Sequence, residues 1–253
     1  MINIISDRFK IENIELVIFD KDGTFIDIHT YWGRVVELRA TKIIEYYNLD
    51  ESFFEPLCAV MGYDIQTKLL PPDSPVGLYS RDRVQEILQF FLIKNDIDAS
   101  IEDINSIFQE VAQDFISEQE EYTVVIPEAV DLMNDIKNTG AKMVVVTSDS
   151  KDNAEHTIKK RGLDKFFDGI YGAEDSQTPK TSGEIVKNIL NKMNIKPENT
   201  IRIGDTYDDY LMAQNSGIKG CINVSTGVVT MSQHKDYNDF CVSSLKELTI
   251  LQS

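Results

Sequence analysis

The chain is short of the residues from which disulfide frameworks and zinc centres are built. Its three cysteines, Cys58, Cys221 and Cys241, are odd in number, widely spaced and without a Cys-x-x-Cys pair. That excludes a disulfide scaffold or a zinc ribbon and points to a reducing compartment. The three histidines, His29, His156 and His234, share no metal-ligand spacing. Glycine (13) and proline (7) are sparse, which excludes collagen-like and low-complexity chains. Positive charge is scarce as well: 25 Lys and Arg stand against 42 Asp and Glu, a net charge of −17. Such a field repels a polyanion, and no Lys/Arg-rich tract offsets it, so a nucleic-acid partner is excluded. No apolar run approaches the roughly 18 residues of a membrane helix. The opening residues, Met1 to Arg8, lack a basic segment followed by an apolar one, as a signal peptide requires. These absences set the expectation of a cytoplasmic protein with no membrane partner.

What is present fits a globular enzyme. With 253 residues, 42% hydrophobic and 26% charged, the chain can form one large domain or a core with a smaller companion. Leu16–Phe19 ends at Asp20, Met143–Val146 ends at Thr147, and Thr200–Ile203 ends at Gly204-Asp205. Gly220–Val224 follows. Apolar, β-branched runs of this length suit strands buried on both faces of a parallel sheet. Helices alternate with them: Pro127 opens one that Gly140 closes, Gly162 closes one beginning near Asp152, and Gly217 closes one beginning near Asp208. The pattern predicts an α/β, doubly wound parallel sheet. Residues 29–122 differ, reading as helix after helix. Ser80 caps one with Val84, Ile87, Leu88, Phe91 and Leu92 on one face, and Ser100 with Asp103 opens another bearing Ile104, Phe108, Val111 and Phe115. The predicted organisation is a core of residues 1–28 and 123–253 with a helical domain, 29–122, inserted after the first core strand.

The chemistry gathers at strand ends. In Phe19-Asp20-Lys21-Asp22-Gly23-Thr24, two carboxylates at i and i+2 project to one side, and Gly23 allows a sharp turn behind them. Two acids so close call for a divalent cation or a shared proton, and together they offer a nucleophile beside an acid/base. Thr147 can hold a phosphate oxygen with its hydroxyl, aided by the Ser148 amide. Lys180 lies in a loop before a helix. Asp205 and Asp209, four apart at a strand-to-helix junction, can ligate a hard cation such as Mg2+. All four segments fall at the carboxyl ends of parallel strands or just beyond, the edge where open α/β sheets bind ligands.

With these four segments in this order, the chain resembles the haloacid dehalogenase-like superfamily of phosphohydrolases over residues of about 14 to 28 and 123 to 250. The resemblance implies that Asp20 is the nucleophile and Asp22 the general acid/base. It implies that Thr147 and Ser148 bind phosphate, and that Lys180 neutralises the phosphate and steadies the nucleophile. Asp205 and Asp209 would complete a magnesium site with Asp20 and the backbone carbonyl of Asp22; Asp205 would be the direct ligand, Asp209 would act through water or from behind the ligands, and Asp208 is a spare that could substitute for it. Dehalogenases lack the second aspartate and the metal, so dehalogenation is disfavoured. The insert occupies the helical cap position of the phosphoglycolate phosphatase and β-phosphoglucomutase branch. Candidate specificity residues there are His29, Trp32, Arg34, Arg81 and Arg83, with Tyr79-Ser80-Arg81 as a loop reaching inward. Lys21 and Ser148-Asp149-Ser150 depart from the branch's usual pattern, which puts phosphoglycolate in doubt as the substrate.

The expected function is a magnesium-dependent phosphatase acting on a small phosphorylated metabolite, a phosphomonoester, through an aspartyl-phosphate. The alternatives are a phosphomutase of the same fold acting on a sugar phosphate, a phosphonate hydrolase using Lys42 or Lys68, and a non-catalytic phosphoacceptor. The expected assembly is a monomer or homodimer.

Overall fold

A computed structural model describes all 253 residues, Met1 to Ser253. The chain packs as two units, residues 1–27 with 125–253, and residues 28–124.

The first unit is built on a six-stranded sheet. In chain order its strands are β3 (Leu16–Phe19), β4 (Lys142–Val146), β5 (Gly169–Tyr171), β6 (Thr200–Gly204), β7 (Cys221–Val224) and β8 (Cys241–Val242), arranged β5-β4-β3-β6-β7-β8. Every pairing is parallel, with Ile18 opposite both Val144 and Arg202. Every residue of β3 is buried, because alternate side chains enter two separate cores. Val17 and Phe19 join Met143, Val145, Ile201, Ile203 and the inner face of the helix Pro127–Thr139. Leu16 and Ile18 join Val144, Val146 and the helices Glu184–Met193 and Tyr207–Ser216. Each Ile or Leu so buried contributes about 1.5–3 kcal/mol, which is why the apolar runs settle at the centre of the sheet.

A smaller antiparallel sheet was not legible as strands in the sequence. It has the order β2-β1-β9, from β1 (Ile2–Ile5), β2 (Lys10–Ile14) and β9 (Thr249–Gln252). Ile2, Ile4, Ile11 and Ile14 point into the larger of the two cores.

The second unit is helical: Ile28–Tyr47, Phe54–Met61, Pro75–Leu78, Arg81–Lys94, Ile101–Phe115 and Gln119–Tyr122. Ser80 accepts a hydrogen bond from the Arg83 amide at 3.4 Å, and Val84, Leu88 and Leu92 form the buried stripe. Ser100 accepts from the Asp103 amide at 3.0 Å, while the Asp103 carboxylate accepts from the Ser100 hydroxyl at 2.7 Å. No helix in either unit is long and apolar enough to cross a membrane.

Candidate active site

Strands β4, β3 and β6 are neighbours and run in one direction, so the residues following them share one edge of the sheet. Those residues are Thr147, Asp20 and Asp205. Behind Asp20 the chain turns tightly: the amides of Phe25 and Ile26 both donate to the Lys21 carbonyl at 3.0 Å. Gly23 has φ +77°, and a Cβ there would stand 2.2 Å from Asp205 Oδ2. A Cβ on Gly227, just past β7, would stand 1.8 Å from the same oxygen. Two glycines thus leave the room that the Asp205 carboxylate occupies. Thr226 Oγ1 donates to the Gly23 carbonyl at 2.6 Å and ties the two loops together.

Around that edge lie three buried carboxylates and two cations. Oxygens of Asp20, Asp205 and Asp209 all fall within 4.8 Å of one another. Lys180, in the short turn Lys180–Ser182, sets its Nζ 2.6 Å from Asp20 Oδ1 and 2.9 Å from Asp209 Oδ1. Arg202 on β6 is fully buried, and its Nη2 donates to Asp209 Oδ1 at 2.6 Å, to Asp20 Oδ1 at 3.1 Å and to the Val146 carbonyl at 3.1 Å. Asp209 Oδ2 accepts from the amide and hydroxyl of Thr206 at 3.0 and 2.8 Å, capping the helix that begins at Tyr207. Asp208 is exposed, so Asp209 and not its neighbour joins the cluster.

These environments separate the acids. Burial would raise Asp209, but the charges and hydrogen bonds of Lys180 and Arg202 hold its carboxyl well below the usual range. Burial pushes Asp20 upward, opposed by Lys180 and Arg202. Asp205 is pushed well above the usual range, first by burial and then by the charges of Asp20 and Asp209. Its Oδ2 is buried with no hydrogen-bond partner. A buried, unpartnered carboxylate oxygen beside two other carboxylates is a donor set suited to a hard divalent cation.

Lys21 is buried, with Nζ 2.8 Å from Asp22 Oδ1 and 3.0 Å from Asp149 Oδ2. Asp149 accepts in turn from the Asn153 side chain at 2.7 Å, and its amide donates to Thr147 Oγ1 at 3.1 Å. The departures from the branch's usual pattern, Lys21 and Asp149, are therefore partners of each other, and they link the loop after β3 to the loop after β4. Thr147 is buried and Ser148 exposed. A cavity of about 220 Å3 lies against Thr147, Ser148, Ser176, Thr178 and Lys180.

The remaining candidates lie in the helical unit. Arg34 pairs with Glu118 at 2.7 Å and lies over the Tyr122 ring. Arg83 pairs with Glu86 on its own helix at 2.7 Å, and Arg81 donates to the Asn105 side chain at 3.3 Å. Arg81 opens a helix capped by Ser80, so Tyr79-Ser80-Arg81 is a capped helix start. His29 Nδ1 accepts from the Leu70 amide at 3.0 Å, and Trp32 packs edge-on against Tyr31. Lys42 pairs with Glu110.

Sequence reasoning passed over Arg202. In Thr200-Ile201-Arg202-Ile203 the arginine reads as an ordinary strand residue, although a charged residue within a strand covered on both faces is itself the signal. Thr226 and Gly227 carry no local mark at all, since their part depends on the approach of Asp205.

Fold and site together define a hydrolase centre of the aspartate type: a carboxylate set with a bridging lysine at the carboxyl edge of a doubly wound α/β sheet. The chain belongs to the haloacid dehalogenase-like hydrolase family, whose model matches residues 14–217. Among curated proteins it is similar to the pyrophosphatase PpaX of Bacillus pumilus, 28% identical over 177 residues, covering 68% of this chain and 80% of that protein. It is also similar to PpaX of Bacillus velezensis, 26% identical over 120 residues, covering 47% of this chain and 55% of that one. With PpaX of Halalkalibacterium halodurans, identity is 34% over 83 residues, covering 33% and 39%. The matched segment thus spans about half or less of the length of the latter two relatives. Among solved structures, a subfamily IA hydrolase from Geobacter sulfurreducens superposes with a TM-score of 0.64 at 15% identity, covering 96% of this chain and 97% of that one. CbbY of Rhodobacter sphaeroides, solved with xylulose-1,5-bisphosphate, superposes with a TM-score of 0.58 at 21% identity, covering 92% and 96%. These likenesses establish the fold.

Proposed function

We propose that the protein is a magnesium-dependent phosphatase that hydrolyses a small phosphorylated compound through an aspartyl-phosphate on Asp20. The observation that carries this reading is Lys180 Nζ, 2.6 Å from Asp20 Oδ1, at an edge where Asp205 holds a buried, unpartnered oxygen. A nucleophilic carboxylate with a fixed cation beside it is what an anionic phosphoryl group needs, because two anions otherwise repel each other.

Both cations meet Asp20 on Oδ1, which leaves Oδ2 to attack phosphorus. As the Asp20 Oδ2–phosphorus bond forms, the phosphorus–ester oxygen bond breaks, and the leaving oxygen takes a proton from Asp22. Asp22 then takes a proton from a water molecule whose oxygen attacks phosphorus. The bond to Asp20 breaks, freeing the carboxylate and inorganic phosphate. Lys21, bonded to Asp22 and Asp149, orients the acid/base against the Thr147 loop. Thr147 and the Ser148 amide hold phosphoryl oxygens beside the cavity they line. Asp20, Asp205 and the Asp22 backbone carbonyl would hold magnesium, with Asp209 behind them, bonded to Lys180 and Arg202; a bound magnesium would neutralise phosphoryl charge and align it for in-line transfer.

In this reading the helical unit serves as a cap that excludes water and supplies substrate contacts. His29, Trp32, Arg34, Arg81 and Arg83 remain its candidate contacts. The test is phosphate release from p-nitrophenyl phosphate, a panel of small phosphate esters and pyrophosphate, with magnesium or EDTA, beside Asp20→Asn. Pyrophosphate belongs on the panel because it names the activity of the PpaX relatives. Magnesium-dependent release that vanishes in the variant is the expected result. Folded protein that releases phosphate from nothing overturns the reading.

A further inference from the structure

Arg202 is the one charged residue on β6, a strand whose five residues are all buried. It stands opposite Ile18 in the register of the sheet, and Ile18 belongs to the aliphatic core on that face. Holding a guanidinium there costs several kcal/mol unless charge partners offset it, and one of its nitrogens, Nη1, is buried with no partner at all. An apolar residue of similar length would serve packing better, so its presence asks for a reason in the chemistry of the edge it reaches.

The hydrogen bonds supply one. Asp209 Oδ1 accepts from Arg202 Nε at 3.0 Å and Arg202 Nη2 at 2.6 Å, and lies 2.9 Å from Lys180 Nζ. Asp209 Oδ2 accepts the two bonds from Thr206. A carboxylate has about four acceptor positions, and here five donors already occupy them. Asp205 is the opposite case, with one long contact of 3.5 Å from Thr24 Oγ1 and nothing on Oδ2. Proximity alone puts three acids in one cluster; donor saturation divides them into one that is committed to protein cations and two that keep free oxygens.

We propose that Arg202 is a positioning residue of this site: it draws Asp209 away from the metal and pins Oδ1 of Asp20, so that Asp205 is presented to the metal and Asp20 Oδ2 to the substrate. The proposal rests on the phosphatase reading above for the role of Asp20, while its bearing on the metal site is tested independently of turnover. Replacing Arg202 removes a positive charge beside the acidic cluster and frees Asp209 as an oxygen ligand. Both changes favour a divalent cation, whereas the loosened Asp20 favours nothing in catalysis.

The experiment measures Mn2+ binding to the intact chain by electron paramagnetic resonance, alongside steady-state hydrolysis, for wild type, Arg202→Met and Arg202→Lys. The expected result for Arg202→Met is Mn2+ bound roughly tenfold more tightly, with kcat reduced about 100-fold and KM little changed. Arg202→Lys, which restores the charge without the forked geometry, is expected to return Mn2+ affinity to within about threefold of wild type and to recover part of kcat. A folded Arg202→Met that binds Mn2+ no more tightly than wild type, or that keeps its kcat, overturns the proposal. A residue needed only for packing gives weaker metal binding, not stronger. Should Arg202→Met fail to fold by circular dichroism, Arg202→Lys decides: a wild-type kcat overturns the proposal, and a roughly tenfold loss with unchanged Mn2+ affinity supports it. Wild-type protein that takes up no Mn2+ overturns the metal site and the proposal together. Wild-type protein that binds Mn2+ yet hydrolyses no ester overturns the phosphatase reading, and the Mn2+ affinities of the variants still decide whether Arg202 shapes the site.

Discussion

Asp205→Asn removes a negative charge that the fold holds buried beside two others, and it should make the metal-free protein more stable while abolishing its activity. Two like charges 4.8 Å apart, the span of this cluster, cost about 3.5 kcal/mol at an effective dielectric constant of about 20. Asp205 faces two such neighbours, and Lys180 returns part of that cost. A net release of about 2 kcal/mol is a conservative share, close to the penalty for one buried unpaired polar group. For a chain of this size it corresponds to a Tm gain of about 4–8 °C. The pH dependence has a definite sign. Because the folded-state pKa of Asp205 lies above the unfolded value, its contribution to stability is intact at acid pH and is lost as pH rises through the folded pKa. The gain from the substitution should therefore be larger at neutral pH than at pH 4–5. Differential scanning calorimetry in EDTA measures it, and a parallel series with magnesium should stabilise wild type but not the variant. An Asp205→Asn protein whose Tm in EDTA is unchanged or lower would refute the picture of an uncompensated carboxylate awaiting a cation.

Other consequences can be tested in the same preparations. Asp20→Asn should lower phosphate release by more than about 1,000-fold with an unchanged circular dichroism spectrum, since it removes the nucleophile and not the packing. Lys21→Met should reduce kcat by about 10- to 100-fold, because it leaves Asp22 and Asp149 facing each other without the cation between them. Combined with Asp149→Asn, its effect should be clearly less than additive in a double-mutant cycle. Gly227→Ala, whose Cβ would fall on Asp205 Oδ2, should weaken magnesium binding by about tenfold or more in calorimetric titration. Magnesium affinity in the wild type should rise with pH through the acid range, because the raised Asp205 must lose its proton before it can bind metal.

The polar strand ends were legible in the sequence because their positions follow from chain order alone. Asp20, Thr147 and Asp205 each terminate a short apolar run, and a parallel sheet of such runs brings those termini to one edge whatever the details of packing. The same logic gave the alternation of strands and helices, and the contrast with residues 29–122, which read as helix after helix. The hairpin of β1 and β2, closed by β9, was not legible, since pairing across nearly the whole chain leaves no local trace in Ile2–Ile5 or Thr249–Gln252.

The order and type of elements and the identity of the acids can therefore be read along the chain, because periodicity and residue chemistry are properties of short segments. How those acids differ follows from packing between distant segments. The tertiary structure packed Arg202 inward from a strand covered on both faces, saturated Asp209 with five donors, and left Asp205 between two glycines with an oxygen unsatisfied. It also made partners of Lys21 and Asp149, which lie far apart in the chain. Burial and the count of donors around a carboxylate are set by residues distant in sequence, and those quantities separate the charged anchor from the oxygens that remain free for chemistry.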